Sequence, residues 1–276
     1  LEFRRVLFRS LLFGLSCAWA QNAPVPQQVP APPTVDLDPY KVADKASAGV
    51  FYWLSSGHVD LGPGIKAANP DAQRLRLPDA SHDGKGIFLS TPAGKYNSIE
   101  IEAFQVQGSG LVYAPRALSL FGTSFSGGDP LGTSFRLRGG KFQWNYLTYP
   151  SPPEKALFRV KTLWGVHILQ IQGVADDLIT SVPTTAIGTK LLIMPTVGIG
   201  LDIAPSKFFH IEMQAAGMAL SGRSRVLDGE AKAVFRVKKL EVLAGAKGLD
   251  FRTTLKTDQY FRSRLTGPFA GVRWVF

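Results

Sequence analysis

The last stretch of the chain, Leu265–Phe276, restricts the fold more than any other segment. Ala270, Val272, Trp274 and Phe276 recur at every second position, and Phe269, Gly271, Arg273 and Val275 occupy the alternate ones. Successive side chains of an extended strand leave on opposite faces, so this period of two makes a ribbon with one apolar and one mixed side. Such a ribbon needs an apolar surround along one side.

The pattern repeats upstream. From about residue 49 onward, aromatic and β-branched runs alternate with Gly, Pro, Ser and Asp clusters, and no 3.6-residue periodicity is sustained, which predicts an all-β chain. Strands are expected at Val50–Ser55, Gly86–Thr91, Ile99–Gln107, Phe135–Tyr149, Leu157–Ile171, Leu191–Ala204, Phe208–Leu220, Leu227–Val237 and Leu240–Phe251, followed by the terminal one. The connections between them alternate long and short. That spacing predicts an up-and-down antiparallel transmembrane β-barrel of ten strands, with short periplasmic turns and longer extracellular loops. The long outer segments are His58–Lys85 and Gly108–Ser134. Eight strands are the alternative, with the first two segments lying in a periplasmic or plugging structure.

The faces of the strands carry the functional expectation. Phe209, Ile211 and Met213 alternate with His210, Glu212 and Gln214, and Ala231, Ala233 and Phe235 alternate with Glu230, Lys232 and Arg236. A membrane barrel turns the apolar set toward lipid and the charged set inward; a soluble barrel does the reverse. On the membrane reading the lumen holds Glu100, Glu102, Gln143, Asn145, Arg159, Lys161, His167, Asp202, His210, Glu212, Asp228, Glu230, Lys232, Arg236, Glu241, Lys247 and Arg273. A barrel of eight to ten strands has little more room than its side chains fill, so these charges are expected to pair and leave a narrow or closed bore. Phe135 and Leu137 differ in parity from Phe142 and Trp144, which predicts a bulge at Gly139-Gly140 that resets the face. Aromatic residues near the short turns, including Trp144, Trp164, Phe208 and Trp274, are expected to form an interfacial girdle.

The N-terminal region reads as three further pieces. Leu1–Ser10 resembles the translation of a sequencing-library adapter. Leu11–Ala20 has the short apolar run and Ala18-Trp19-Ala20 end of a secretory signal, shortened at its start. Residues 21–48 form a Pro-rich periplasmic linker, and the barrel occupies 49–276. The formal net charge is +10; the first ten residues contribute three arginines and one glutamate, so +8 belongs to the rest. With no basic run, this excess points away from nucleic acid and toward loop, rim and lumen positions.

No nucleophile elbow, zinc-protease, phosphate-loop or dinucleotide motif is present, so no cofactor, metal or enzymatic activity is expected. Omptin proteases are ten-stranded and use Asp and His at the outer rim. His58-Val59-Asp60 and His82-Asp83 make a rim hydrolase the alternative, although their spacing is unspecific. A soluble periplasmic ligand-binding barrel is a second alternative.

Val272, Trp274 and the terminal Phe276 resemble the C-terminal signal of bacterial outer-membrane β-barrels. That resemblance implies outer-membrane location and recognition by the barrel-assembly machinery. The runs Val50–Leu54 and Phe158–Trp164 resemble outer-membrane barrels of environmental, acidobacterial bacteria, which implies the fold and no activity. Together these readings predict a porin-like or structural outer-membrane barrel. Its expected partners are outer-membrane lipid, lipopolysaccharide and an unidentified ligand of the outer loops.

Overall fold

The computed structural model describes residues 45–63, 74–78, 81–94, 96–149, 158–179, 184–206, 208–221, 224–254 and 259–276. The adapter-like, signal and nearly all of the linker residues fall outside this set. The strands are β1 (Ser47–Gly62), β2 (Leu75–Arg76), β3 (Ser81–Pro92), β4 (Asn97–Tyr113), β5 (Leu118–Leu120), β6 (Thr123–Phe125) and β7 (Pro130–Tyr149). They continue with β8 (Phe158–Asp177), β9 (Thr185–Ser206), β10 (Phe209–Ala219), β11 (Arg225–Val237), β12 (Leu240–Arg252) and β13 (Tyr260–Val275).

Ten of these strands form one antiparallel barrel in the order β13, β12, β11, β10, β9, β8, β7, β4, β3, β1, and β13 pairs with β1 to close it. The closing ladder keeps one register from Ser47↔Val275 to Gly62↔Tyr260, interrupted only at Leu54 and Ser55, near Pro268. Closure removes both sheet edges, so the backbone polar groups are satisfied within the wall, as a lipid surround demands. The ten-strand expectation therefore holds, and the first two segments belong to the wall.

Two expectations need correction. Strands β1 and β3 run well past the apolar runs that announce them, so the outer connection shrinks to 63–80, and β2 within it pairs with the top of β1 through Leu61↔Leu75. The inner connections 93–96, 207–208 and 238–239 are tight, but 150–157 is as long as the outer 178–184, so loop length alternates less strictly than expected. The wall is uneven in height. Strand β9 has 22 residues and β10 only 11.

The outward faces carry the apolar band. Val50, Ile87, Ile101, Phe142, Trp144, Trp164, Ile168, Ile193, Ile199, Phe235, Val242, Val272 and Trp274 are all exposed. Exposed apolar area so continuous is untenable in water and is what a lipid surround stabilises.

Candidate functional site in the barrel lumen

The lumen is divided across its height. Its inner half, near the short turns, holds the charged residues expected there. Phe235 and Val272 stand outside while Glu212, Lys232 and Arg273 face inward, so the membrane orientation of the faces is the correct one.

The inner half is an ion-pair lattice built from facing strands. At the mouth, Glu241 accepts from Arg236 and Arg273, and Arg273 Nη2 reaches Glu212 at 2.7 Å. His210 Nε2 lies 2.9 Å from Glu212. Asp202 takes Arg159 and Lys161, each at 2.8 Å. Deeper, Lys232 joins Glu230 and lies 3.2 Å from Glu212, and Lys247 joins Glu102 and lies 3.4 Å from Glu230. Lys141 is the hub, with Asp228 at 3.3 Å, Glu102 at 3.4 Å and Glu100 at 3.7 Å. His167 sits between Asp228 at 3.5 Å and Thr196 at 3.2 Å. Gln143 bridges Asn145 at 2.7 Å and Gln214 at 3.2 Å.

Among the described residues the lattice pairs seven carboxylates (Glu100, Glu102, Asp202, Glu212, Asp228, Glu230, Glu241) with seven cations (Lys141, Arg159, Lys161, Lys232, Arg236, Lys247, Arg273), and Lys45 also lines the inner mouth. Balance is what a low-dielectric cylinder requires, because an unpaired charge there costs several kcal/mol while a paired, hydrogen-bonded one roughly breaks even. At the inner mouth a cavity of about 70 Å³ remains, lined by Glu100, Arg159, Asp202, Arg236 and Arg273 among others.

Every residue of the expected lumen set faces inward, but sequence reasoning missed Lys141. The ladders of β7 with β4 and β8 continue without a break through Gly139 and Gly140, so the expected bulge is absent. Register shifts occur instead between Leu147 and Tyr149 and between Phe209 and Ile211. The strand keeps its parity and the chemistry of its faces exchanges: Phe135 and Leu137 point inward above, Lys141, Gln143 and Asn145 point inward below, and Arg136 and Arg138 give way outside to Phe142 and Trp144. Gly139 is needed for another reason. A Cβ there would lie 2.1 Å from the Phe104 ring, which fills the bore at that level.

The outer half of the lumen is an apolar core. Trp53, Leu61, Val106, Leu137, Leu169, Ile171, Phe251, Phe261 and Leu265 are each almost wholly buried. Trp53 meets Phe104 edge-on at 6.2 Å, and Phe51 meets Phe269 likewise at 6.2 Å. Where the two halves join, Lys247 Nζ lies 5.2 Å from the Phe51 ring and 5.7 Å from that of Phe104, a cation–π contact that eases the change of polarity.

The outer mouth is covered by the β5–β6 hairpin, which comes from the connection between β4 and β7. Leu118, Leu120 and Phe125 are buried in the apolar core. Phe121, at φ 51°, stacks on Phe261 at 5.5 Å and occupies the space over Gly188, where a Cβ would lie 2.5 Å from its ring. Thr123 Oγ1 donates to the Thr185 carbonyl at 3.5 Å. The hairpin thus reaches from the β4–β7 side to β9 and β13.

The rim histidines are placed differently from the expectation. Both lie on strands. His82 is buried inside β3, edge-on to Phe135 at 4.8 Å, with Nε2 3.3 Å from the Gly57 carbonyl. His58 occupies β1 opposite Arg264, and Asp83 accepts from the Tyr52 hydroxyl on the outer wall. The long ladders of β1 and β3 carry both histidines into the wall, where Asp60 pairs with Arg76 and Asp83 with Tyr52, so neither histidine is the loop residue expected from sequence. Val272, Trp274 and Phe276, the residues expected from sequence to serve as an assembly signal, point outward, as their alternation predicts.

No protein-family profile and no curated protein sequence matches the chain. Solved structures do. The outer-membrane protease OmpT of Escherichia coli superposes with a TM-score of 0.50 at 10% identity, over 85% of this chain and 98% of that one. Ail, the attachment invasion locus protein of Yersinia pestis, gives 0.36 at 9% identity over 83% and 99%. The Pseudomonas putida toluene transporter TodX gives 0.34 at 8% identity over 84% and 89%. With its closed ten-strand wall and outward apolar band, the chain has the fold of bacterial outer-membrane β-barrels.

Proposed function

We propose that this protein is a non-conducting, non-enzymatic outer-membrane barrel, a rigid wall that presents its outer connections and hairpin to partners outside the cell. The observation that carries this reading is the double filling of the lumen. A solute entering from outside must displace the β5–β6 hairpin and an apolar core, and one entering from the periplasm must open a charge-balanced lattice. Either step means separating groups whose exposure costs several kcal/mol. Among the described residues the narrow-pore version of the reading has no continuous polar path, because the apolar core interrupts it.

A rim hydrolase is disfavoured by the separation of His58 and His82, one outside the wall and one within it. The acid–base groups that do cluster, Lys141, His167 and Asp228, are sealed under the apolar core and are all engaged with one another or with neighbours. Insertion through the barrel-assembly machinery, reading Val272, Trp274 and Phe276, completes the proposal. Planar-bilayer recording is the test. Purified protein should give no unitary currents, and removal of residues 118–125 should still give none because the charged half remains. Stable channel events from the intact protein would overturn the reading.

A further inference from the structure

The short side of the barrel carries an arrangement that a structural wall does not need. At the upper edge of the apolar band, Arg225, Arg252 and Arg262 stand directly opposite one another on β11, β12 and β13. All three share the outward face. Cross-strand neighbours of like charge destabilise a sheet. The row continues through Asp60 to Arg76, and Arg264 lies one step below, opposite Asp250.

The local acids do not neutralise it. Asp250 is shared by Arg225 at 2.6 Å and Arg264 at 3.5 Å, and Asp60 is taken by Arg76 at 3.1 Å. Among the described residues Arg252 and Arg262 have no carboxylate within ion-pair distance, and Arg252 Nε and Arg225 Nε are buried donors without an acceptor. Among the described residues, five arginines against two aspartates leave an excess of three positive charges in the row and the step below it.

Immediately below the row the wall is hollowed. A groove of about 610 Å³ is lined by Ala215, Gly217, Leu227, Gly248 and Thr266, with Arg264 at its upper end. Small side chains keep it open: Gly229 and Gly248 have no heavy atom closer than 3.4 Å to where a Cβ would stand. A cationic head above an apolar groove has the shape of an anionic amphiphile, with phosphate uppermost and acyl chain beneath. On the facing side a depression of equal volume beside Arg136 is lined by polar groups such as Asp83, Gln107, Ser109 and Gln172. There Arg136 and Arg138, on one strand, are each flanked across the sheet by glutamines: Gln107 and Gln172, and Gln105 and Gln170.

We propose that the Arg225–Arg252–Arg262 row, with Arg264 and the groove below, binds the phosphorylated headgroup and one acyl chain of an outer-leaflet glycolipid. Arginine suits the task because its planar fork donates two parallel bonds to a phosphate. The inference rests on the membrane orientation of the wall but not on the closed lumen, so conductance and lipid binding can fail separately.

The test uses the full chain in detergent micelles, titrated with bis-phosphorylated lipid A and read by native mass spectrometry. Folding of each variant is verified by faster gel migration before boiling. Wild-type protein should retain the lipid, and the R252Q/R262Q pair should lose at least about tenfold in affinity, the size expected for charge-assisted bonds. The R136Q/R138Q pair should lose far less. Gly248→Leu, which fills the groove, should weaken the lipid and leave the arginine row intact. Equal binding of dephosphorylated lipid A, equal losses from both arginine pairs, or full displacement by millimolar inorganic phosphate would each overturn the assignment.

Discussion

The two halves of the lumen are opposite solutions to one problem. In the inner half the wall is apolar outside and charged inside: Ile101, Phe142 and Ile168 face lipid, and Glu102, Lys141 and His167 face the axis. In the outer half the same strands are polar outside and apolar inside: Gln105, Arg138 and Gln170 face out, and Val106, Leu137 and Leu169 are buried. Each strand keeps its alternation across the change, so geometry is constant and only the solvent differs. The inner half is folded for lipid and the outer half for water. A barrel taller than the bilayer must therefore be two proteins stacked, one inverted and one ordinary.

The largest expected effect that would break this comparison comes from the lattice. Lys141→Ala should cost about 3–5 kcal/mol, because Asp228, Glu102 and Glu100 lose their shared cation inside a closed cylinder. Leu137→Ala, four residues away on the same face, should cost about 2–5 kcal/mol by leaving a cavity, and unlike Lys141→Ala it leaves no charge unpaired. Thermal unfolding in detergent, followed by gel mobility, measures both. If Lys141→Met recovers most of the loss, cavity formation rather than charge pairing governs both halves.

The waterline itself is sharpened by arginine scanning outside the wall. Ile168→Arg should destabilise insertion into vesicles by about 2–4 kcal/mol, as for a cation near the bilayer midplane. Gln172→Arg, on the same face of β8 four residues outward, should stay within about 0.5 kcal/mol of wild type. Equal penalties would mean that the apolar band extends higher than its outward residues indicate. The smallest effect belongs to the hairpin. Phe121→Ala removes one ring stack, about 0.5–1.5 kcal/mol, and should speed hydrogen exchange in 118–125 without altering the barrel strands.

Much of this was legible in the sequence, and each failure has a physical cause. Alternation located all ten wall strands, the lipid-facing residues and seventeen inward ones, because a period of two is imposed by the backbone. It could not tell lipid from core: Phe135 and Leu137 alternate with Arg136 and Arg138 just as Phe142 and Trp144 alternate with Lys141 and Gln143. Reading both apolar sets as lipid-facing forced a bulge at Gly139-Gly140, while Lys141, the hub, shares the parity of Gln143 and Asn145 and was passed over beside them. The β5–β6 hairpin was invisible because three-residue strands in a Gly- and Ser-rich stretch carry no period. The arginine row was hidden for a different reason. Arg225, Arg252 and Arg262 are far apart in the chain, and only the ladder register makes them neighbours.

The exchange of polarity around the wall also fixes how deep the molecule sits. Sliding outward by one pair of residues would lift Ile87 and Ile168 into water, and sliding inward would drag Lys85, Gln105 and Gln170 among acyl chains. Neither penalty can be relieved by rotating a closed cylinder about its axis. A bilayer of the wrong thickness must then thin or thicken around this protein, at fractions of a kcal/mol per ångström, making the barrel a gauge that its membrane adjusts to.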